Sequence, residues 1–462
     1  MENFWDYNVW GFINLIAVLL LSLMAANALK KNFKFLEKSL IPTSVLGGTI
    51  LLVIAGFYDL ITKTPLFETK FFGTNGYNTL EIITYHTLAL GFIASTFKST
   101  KGKLSSKRAS EIFNTGLTTV STYLLQGFVC MGITIAAATF FMKNFFPASG
   151  LLVAFGFGQD TGQAMNYGNI YEIEHGFMGG KTFGLTIAAI GFLCASFGGV
   201  IHLQMLKYKK KRIIGNGVDN ADIAMEEIQS QNEIPMQGSI DKMTVEVALV
   251  MITYLLAYWI IFWLGRLLPG FRSVIYGFNF LIGVLSAMLV KQVLKLLKKY
   301  SFSKKDYVND FLMTRVSNFF FDLMVVAGIA AIRLGILKNY WGIMIILGFA
   351  GFIVTYWYNR FISKVLFPEY REEQFLMMYG MLTGTASTGT ILLREIDGNF
   401  KTPAADNMVY QNFPAIVFGF PLMILATLAP KKPLLTFFIL IGFFLILNLI
   451  LFRSFIFKKR KK

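Results

Sequence analysis

Apolar runs of about 20 residues recur along the whole chain, and as a helix each matches the hydrocarbon thickness of a bilayer. They fall near residues 9–29, 42–58, 80–97, 112–141 and 182–206 in the first half. The second half has runs near 243–265, 273–294, 309–332, 340–362 and 406–428, and a further one at 433–457 stands apart. Of the 462 residues, 55% are hydrophobic and only 15% charged, against roughly 25% charged in a soluble domain. This pattern predicts an all-α polytopic membrane protein.

The formal net charge of +17 does not indicate a nucleic-acid partner, because Lys and Arg cluster in short loops between the apolar runs and act as topology markers. Cys130 and Cys194 both lie in apolar segments, so no disulfide framework is implied. The first run lacks a basic n-region and is followed by Lys30 and Lys31, which predicts a retained helix rather than a cleaved signal.

Two hydrophobic segments are interrupted in the same way, one in each half. The first reads Gly156-Phe-Gly-Gln-Asp-Thr-Gly-Gln163 and the second Thr383-Gly-Thr-Ala-Ser-Thr-Gly-Thr390. Non-helical backbone at membrane depth is tolerated only where it is buried in protein or lines a polar cavity. A matched pair of interruptions in two halves points to a transporter binding site. The competing reading is that the Gly and Ser/Thr residues serve tight helix packing alone.

Loop charge orients these segments. With the N-terminus outside and each interrupted segment returning to its own side, the basic loops near 30–38, 98–108, 207–212, 291–305 and 360–371 and the tail 453–462 all lie inside. The loops near 63–70, 143, 266–272, 333–338 and 431–432 then lie outside, and each holds fewer basic residues than any inside loop, as the positive-inside rule requires. Full crossings by both interrupted segments would export 207–212, 291–305 and 360–371. Five crossings plus a re-entrant loop therefore make one unit, and the odd number forces the next unit into the opposite orientation. The expected organisation is two inverted five-helix repeats, each with a re-entrant loop, plus one extra C-terminal transmembrane helix. The first repeat is 1–206 with its loop at 150–175, followed by a polar cytoplasmic linker at 207–242. The second repeat is 243–428 with its loop at 375–400, and 429–462 holds the extra helix and basic tail. That last helix has no partner in the repeat, and either bracing a dimer or wrapping the scaffold suits its near-uniform apolarity.

In the first loop Asp160-Thr-Gly-Gln163 has capping-box form, which predicts a short helix Thr161–Tyr167 begun by Asp160. In the second, Ser387 or Thr388 is the expected cap, and aligning the shared Thr-Gly pairs sets Asp160 opposite Ser387 and Gln163 opposite Thr390. Two helix N-termini meeting at mid-membrane attract an anion such as a carboxylate. Gly156, Gly158, Gly162, Gly384 and Gly389 allow close backbone approach. Oxygens of Asp160, Thr161, Thr383, Thr385, Ser387 and Thr388 are candidate Na⁺ ligands, and Gln159, Gln163 and Thr390 complete the candidate site. Asp160, an intramembrane carboxylate, is functional by default, with a locally neutralised cap as the alternative. Asp322, inside the eighth helix, either binds a coupling ion or pairs with Arg315. Gln126 and His86 are read as interhelical hydrogen-bonding groups before ligands. Arg394 either anchors a substrate carboxylate or marks the cytoplasmic interface.

No enzyme signature competes. His86, His175 and His202 lack metal-ligand spacing, and neither Gly-x-Ser-x-Gly nor a phosphate-cradling Gly-x-x-x-x-Gly-Lys occurs. No cofactor is expected beyond Na⁺ as coupling ion.

Three regions resemble the bacterial sodium/glutamate symporter family: Leu36 to Ile41-Pro42 and Leu46-Gly47-Gly48; Gly150-Leu-Leu-Val through Gly158-Gln-Asp-Thr-Gly162 with Thr182-Phe-Gly184 and Gly198-Gly199; and Thr383-Gly-Thr-Ala-Ser-Thr-Gly389 with Phe413-Pro414. The resemblance spans roughly 9–428. It implies a homodimer in the bacterial inner membrane, a moving core on a fixed scaffold, and Na⁺-coupled uptake of L-glutamate. Better-known members carry a Gly-Gly-His-Gly-Thr-Gly type sequence in the first loop, where this chain has Gly156-Phe-Gly-Gln-Asp-Thr-Gly162. Asp322 stands where those members are apolar. The expected activity is symport of a small carboxylate or amino acid by alternating access, glutamate first. The alternatives are an H⁺-coupled or exchange transporter of another organic anion, with Asp160 or Asp322 carrying the proton, and a passive channel.

Overall fold

The computed structural model describes residues 3–98, 105–143, 145–208, 233, 240–299, 306–398 and 400–453. Most of the expected linker, 207–242, and the basic tail beyond Arg453 lie outside these. All regular elements among the described residues are helices, as backbone groups in lipid must pair within their own segment. The first half contains α1 (Tyr7–Asn32), α2 (Lys34–Lys38), α3 (Thr43–Thr62), α4 (Gly76–Phe97), α5 (Ser106–Phe140), α6 (Leu152–Gly158), α7 (Asp160–His175) and α8 (Gly180–Tyr208). The second contains α9 (Lys242–Leu267), α10 (Arg272–Gly277), α11 (Asn279–Lys299), α12 (Asp310–Ala330), α13 (Trp341–Leu366), α14 (Arg371–Thr383), α15 (Ala386–Arg394), α16 (Ala404–Tyr410), α17 (Asn412–Leu428) and α18 (Pro433–Leu451).

Ten of these helices are long and apolar enough to cross a membrane, and α16 with α17, bent by 50°, makes an eleventh candidate. This is a multi-pass membrane protein. The expected spans are recovered with small shifts. The seventh run begins at Asn279 rather than 273, because Gly277 and Phe278 separate off the short α10. The tenth is the bent α16–α17 pair, hinged at Gln411.

Two compact units interleave along the chain instead of following its two halves. One comprises Met1–Ser22, Leu51–Lys103 and Asp222–Ala331. Its core joins Leu90, Ile93, Ala94 and Phe97 of α4 to Val250 of α9, Ala287 of α11, and Met313 and Val316 of α12. Asn309 caps α12 by accepting from the Leu312 amide at 2.7 Å.

The other unit comprises Leu23–Ile50, Leu104–Ala221 and Ile332–Lys462, and holds both interrupted segments. The 35-residue α5 is its axis. The C-terminal α18 lies along α5: Leu440 is buried near Gly127, and Phe444 packs edge-on against Phe128 at 5.5 Å. Apart from Leu23–Ile50, which joins the second unit, each half of the sequence thus supplies its early helices to the first unit and its later helices, with one interrupted segment, to the second.

Candidate functional site

The interruptions are narrower than the sequence suggests. The first is a single junction, Gln159–Asp160, and the second spans Gly384–Thr385. Gly156 and Gly158 lie in α6, Gly162 and Gln163 in α7, and Thr388, Gly389 and Thr390 in α15. These glycines serve contact more than flexibility. A Cβ on Gly156 would lie 2.9 Å from the Ala188 backbone nitrogen, and one on Gly158 would lie 2.2 Å from the Tyr123 ring. Gly384, in the second break, is likewise a contact glycine, since a Cβ there would lie 2.9 Å from the Thr388 hydroxyl and 3.0 Å from the Gly380 carbonyl oxygen.

Each interrupted segment doubles back on itself. Phe155 and Tyr167 stack at 4.0 Å between ring centroids, although residues twelve apart in one straight helix would be separated by about 18 Å. Gly389 likewise packs on Met377, twelve residues earlier, so closely that a Cβ would lie 2.6 Å from its carbonyl oxygen. Both segments are helical hairpins with their breaks at the tips.

One face of α5 holds both tips. The Tyr123 hydroxyl donates to the Gly158 carbonyl at 2.9 Å, one residue before the first break. Gln126, one turn further along the same face, donates to the Leu382 carbonyl at 2.8 Å, just before the second. Helix α8 touches both as well. A Cβ on Gly191 would lie 2.6 Å from the Thr383 carbonyl and 2.9 Å from the Phe157 ring, and Ala195 approaches Gly384. The structure therefore brings together the two tips that the sequence separates by more than 200 residues.

The two tips differ chemically. At the first, Asp160 is not the cap: Gln159 occupies that position without a side-chain bond, and Asp160 is the first helical residue at φ +74°. The expected capping box with Gln163 is not formed. The reason is geometric, since Asp160 takes a left-handed backbone in place of the extended one from which an N-cap side chain reaches the amides of the first turn. Asp160 Oδ1, Thr161 Oγ1 and both amide atoms of Gln163 are buried without a hydrogen-bond partner among the described residues, and Thr161 and Gln163 are 0% and 1% exposed. Such groups are normally satisfied, so their clustering makes the first tip the candidate binding place.

At the second tip the cap is Thr385, ahead of the expected Ser387 or Thr388. Its hydroxyl accepts from the Thr388 amide at 3.1 Å, and the Thr388 hydroxyl accepts from the Thr385 amide at 3.4 Å. Matching the first residues of α7 and α15 sets Asp160 opposite Ala386, one residue from the sequence alignment. Ser387 is exposed, the Thr383 hydroxyl donates to Tyr379, and the Thr390 hydroxyl donates to Ala386.

The secondary candidates separate. Gln126 belongs to the site through its bond to Leu382. Arg394 is exposed at the far end of α15, stacked on Phe400 at 5.4 Å. Asp322 and Arg315 lie on α12 in the first unit, where the Arg315 guanidinium sits over the Phe311 ring at 4.7 Å. His86, also in that unit, is bonded to the Tyr254 hydroxyl at 2.7 Å.

Sequence reasoning missed Tyr123, which has no distinguishing signal in an aromatic-rich chain. The threonine-lined face of α5 (Thr115, Thr118, Thr119 and Thr122, all buried) was legible as a polar stripe in an apolar helix. No protein-family model matches the chain, and no curated protein matches it in sequence.

Proposed function

We propose that the chain is a secondary active transporter that couples Na⁺ entry to uptake of a small carboxylate or amino acid, L-glutamate first among them. The observation that carries this reading is the meeting of two helical hairpins, tip to tip against α5 and α8, in one compact unit. Broken helices at membrane depth supply free N–H groups for an anionic substrate and carbonyl oxygens for a cation. Asp160, Thr161 and Gln163 add unsatisfied polar atoms at the first tip, and Thr385, Ser387 and Thr388 add hydroxyls at the second.

In this reading the hairpins are re-entrant loops entering from opposite faces of an inverted repeat. Alternating access exposes the paired hairpins first to the outside and then to the inside. The protein is a homodimer of the bacterial inner membrane with its N-terminus outside and its C-terminus in the cytoplasm. The loop charges and the sequence resemblance to sodium/glutamate symporters support this arrangement.

Uptake into proteoliposomes tests the proposal. Across a panel of labelled amino acids and dicarboxylates, an inward Na⁺ gradient is expected to drive saturable accumulation of an anionic substrate. Accumulation driven by a pH gradient without Na⁺ would transfer the coupling to protons. Collapse of imposed gradients with no accumulation would identify a channel.

A further inference from the structure

The first arm of the second hairpin is held, far from its tip, by a buried cluster of ionisable groups that the tips do not use. His202 of α8 and Glu372 of α14 are 2% and 7% exposed. His202 Nε2 lies 3.0 Å from Glu372 Oε2, and Nδ1 lies 2.8 Å from the Tyr356 hydroxyl of α13. Arg360 of α13 pairs with the same Glu372 oxygen, and Arg371 Nε lies 3.3 Å from the other. Phe375, one turn along α14, packs its ring on the His202 ring at 4.4 Å between centroids. Glu372 and Thr383 stand near opposite ends of α14, about 16 Å apart along the helix axis.

These bonds fix one proton of the imidazole and leave a place for a second. Two guanidinium groups pair with Glu372 as a carboxylate, which only accepts, so His202 Nε2 carries a hydrogen. Nδ1 then accepts from the Tyr356 hydroxyl when the ring is neutral and donates to the same oxygen when the ring is charged. A hydroxyl serves as donor or acceptor, so His202 takes up a proton by rotation of the Tyr356 O–H, with no bond of the cluster to Glu372 broken. Histidine is the side chain whose charge ordinarily changes between pH 5 and 8. The charged groups facing the ring are Glu372 and Arg360, with Arg371 on the far oxygen of Glu372 and Glu373 next in the chain. Helix α15 meets this part of α8 through Leu392, close to Gly199, and Leu40 packs on the same cluster. One carboxylate already faces two guanidinium groups, and a proton on His202 adds a third positive charge.

We propose that Tyr356, His202 and Glu372 form a proton-binding latch that sets, according to pH, how firmly α14 and the second hairpin are held against α8 and α13. Its reach to the tip is direct. From Phe375 the packing continues to Tyr379, whose ring stacks at 5.6 Å and whose hydroxyl donates to the Cys194 carbonyl of α8 at 2.5 Å. The Thr383 hydroxyl in turn donates to the Tyr379 carbonyl at 2.6 Å. The proton here regulates the hairpin and does not drive uptake. This inference deepens the proposed function by adding a control of the second tip, and it rests on that reading only for the effect of pH on transport.

The test is the thermal midpoint of the full-length protein in detergent from pH 5.5 to 8.5 at constant ionic strength. The wild type is expected to show a one-proton step that His202→Gln removes. Glu372→Gln is expected to move that step to lower pH, and Arg360→Gln to higher pH, each by about one unit or more. The first removes a charge that favours the imidazolium, and the second removes one that opposes it. A cluster with a packing role alone would lose stability in these variants without moving the step. A wild type without the step, or a His202→Gln variant that keeps it, overturns the latch. So does a step at the wild-type pH in whichever charge variant remains monodisperse. In vesicles with equal pH on both sides, wild-type uptake on a Na⁺ gradient is expected to follow the same step, and His202→Gln uptake to be flat across it. An unchanged uptake profile in that variant overturns the control of the hairpin. The step and its shifts, in a protein that accumulates no substrate, would keep the latch and remove the transport reading.

Discussion

Asp160→Asn is expected to reduce gradient-driven uptake about tenfold or more while leaving the thermal midpoint unchanged or slightly raised. The two halves of this expectation have separate causes. Asp160 sits at φ +74°, a left-handed conformation that costs an L-residue roughly 1–2 kcal/mol. Asn tolerates that region well, so the substitution does not add strain. The carboxylate oxygen Oδ1 is buried and unpartnered, and a charge-assisted contact from it to a ligand contributes about 1.5–3 kcal/mol, which is roughly a tenfold effect or more. In the proposed function, the strain that persists at this carboxyl belongs to a site shaped for binding, with stability secondary. Uptake kinetics alongside thermal unfolding check both halves. Wild-type kinetics would return Asp160 to a local structural role.

Gly389→Val is expected to be the most destabilising single change at the second hairpin. A Cβ at this position would lie 2.6 Å from the Met377 carbonyl oxygen and 3.2 Å from the Met381 nitrogen, both backbone atoms that cannot step aside. Gly380 faces it across the hairpin, where an added Cβ would lie 2.8 Å from the Gly389 Cα. Opening the hairpin far enough to admit an isopropyl group would pull α15 off α14 and disturb the Thr385–Thr388 cap. Overpacking of this kind costs typically 1–3 kcal/mol, and more where backbone must move. Gly442→Val, where nothing lies within 4 Å of the added Cβ, is the matched control in α18. The expected result is a marked fall in midpoint or loss of monodisperse protein for Gly389→Val, with little change for Gly442→Val. Equal behaviour of the two would contradict the folded-back geometry.

The spanning helices were legible because bilayer thickness imposes a length on apolar runs, and short basic loops punctuate them. The position of each interruption was legible for the same reason: Gly156–Gln163 and Thr383–Thr390 are where apolarity gives way. Their width was not. Glycine and threonine read as helix breakers in water, but within a packed bundle Gly156, Gly158 and Gly389 remain helical and serve close contact. The caps were misassigned in both tips for a related reason. Asp160 and Ser387 are favoured cap types, yet the chain reverses one residue before Asp160 and two before Ser387, so that Gln159 and Thr385 take the cap positions. The roles of Tyr123 and of the Gln126 partner Leu382 depend on which helices become neighbours. That is a tertiary fact without a local signature, although Gln126 stood out as a polar residue in an apolar run.

Coupling is tested most directly by the balance point of transport. Proteoliposomes are loaded with a fixed internal concentration of the transported anion, the membrane potential is clamped, and the external concentration that gives zero net flux is measured as the Na⁺ ratio is varied. The expected result is that the substrate ratio at zero flux rises with the imposed Na⁺ ratio, and that Asp160→Asn reaches that balance more slowly or loses the dependence. A substrate ratio that stays at the value set by the membrane potential alone, whatever the Na⁺ ratio, would contradict coupled transport at the paired hairpin tips.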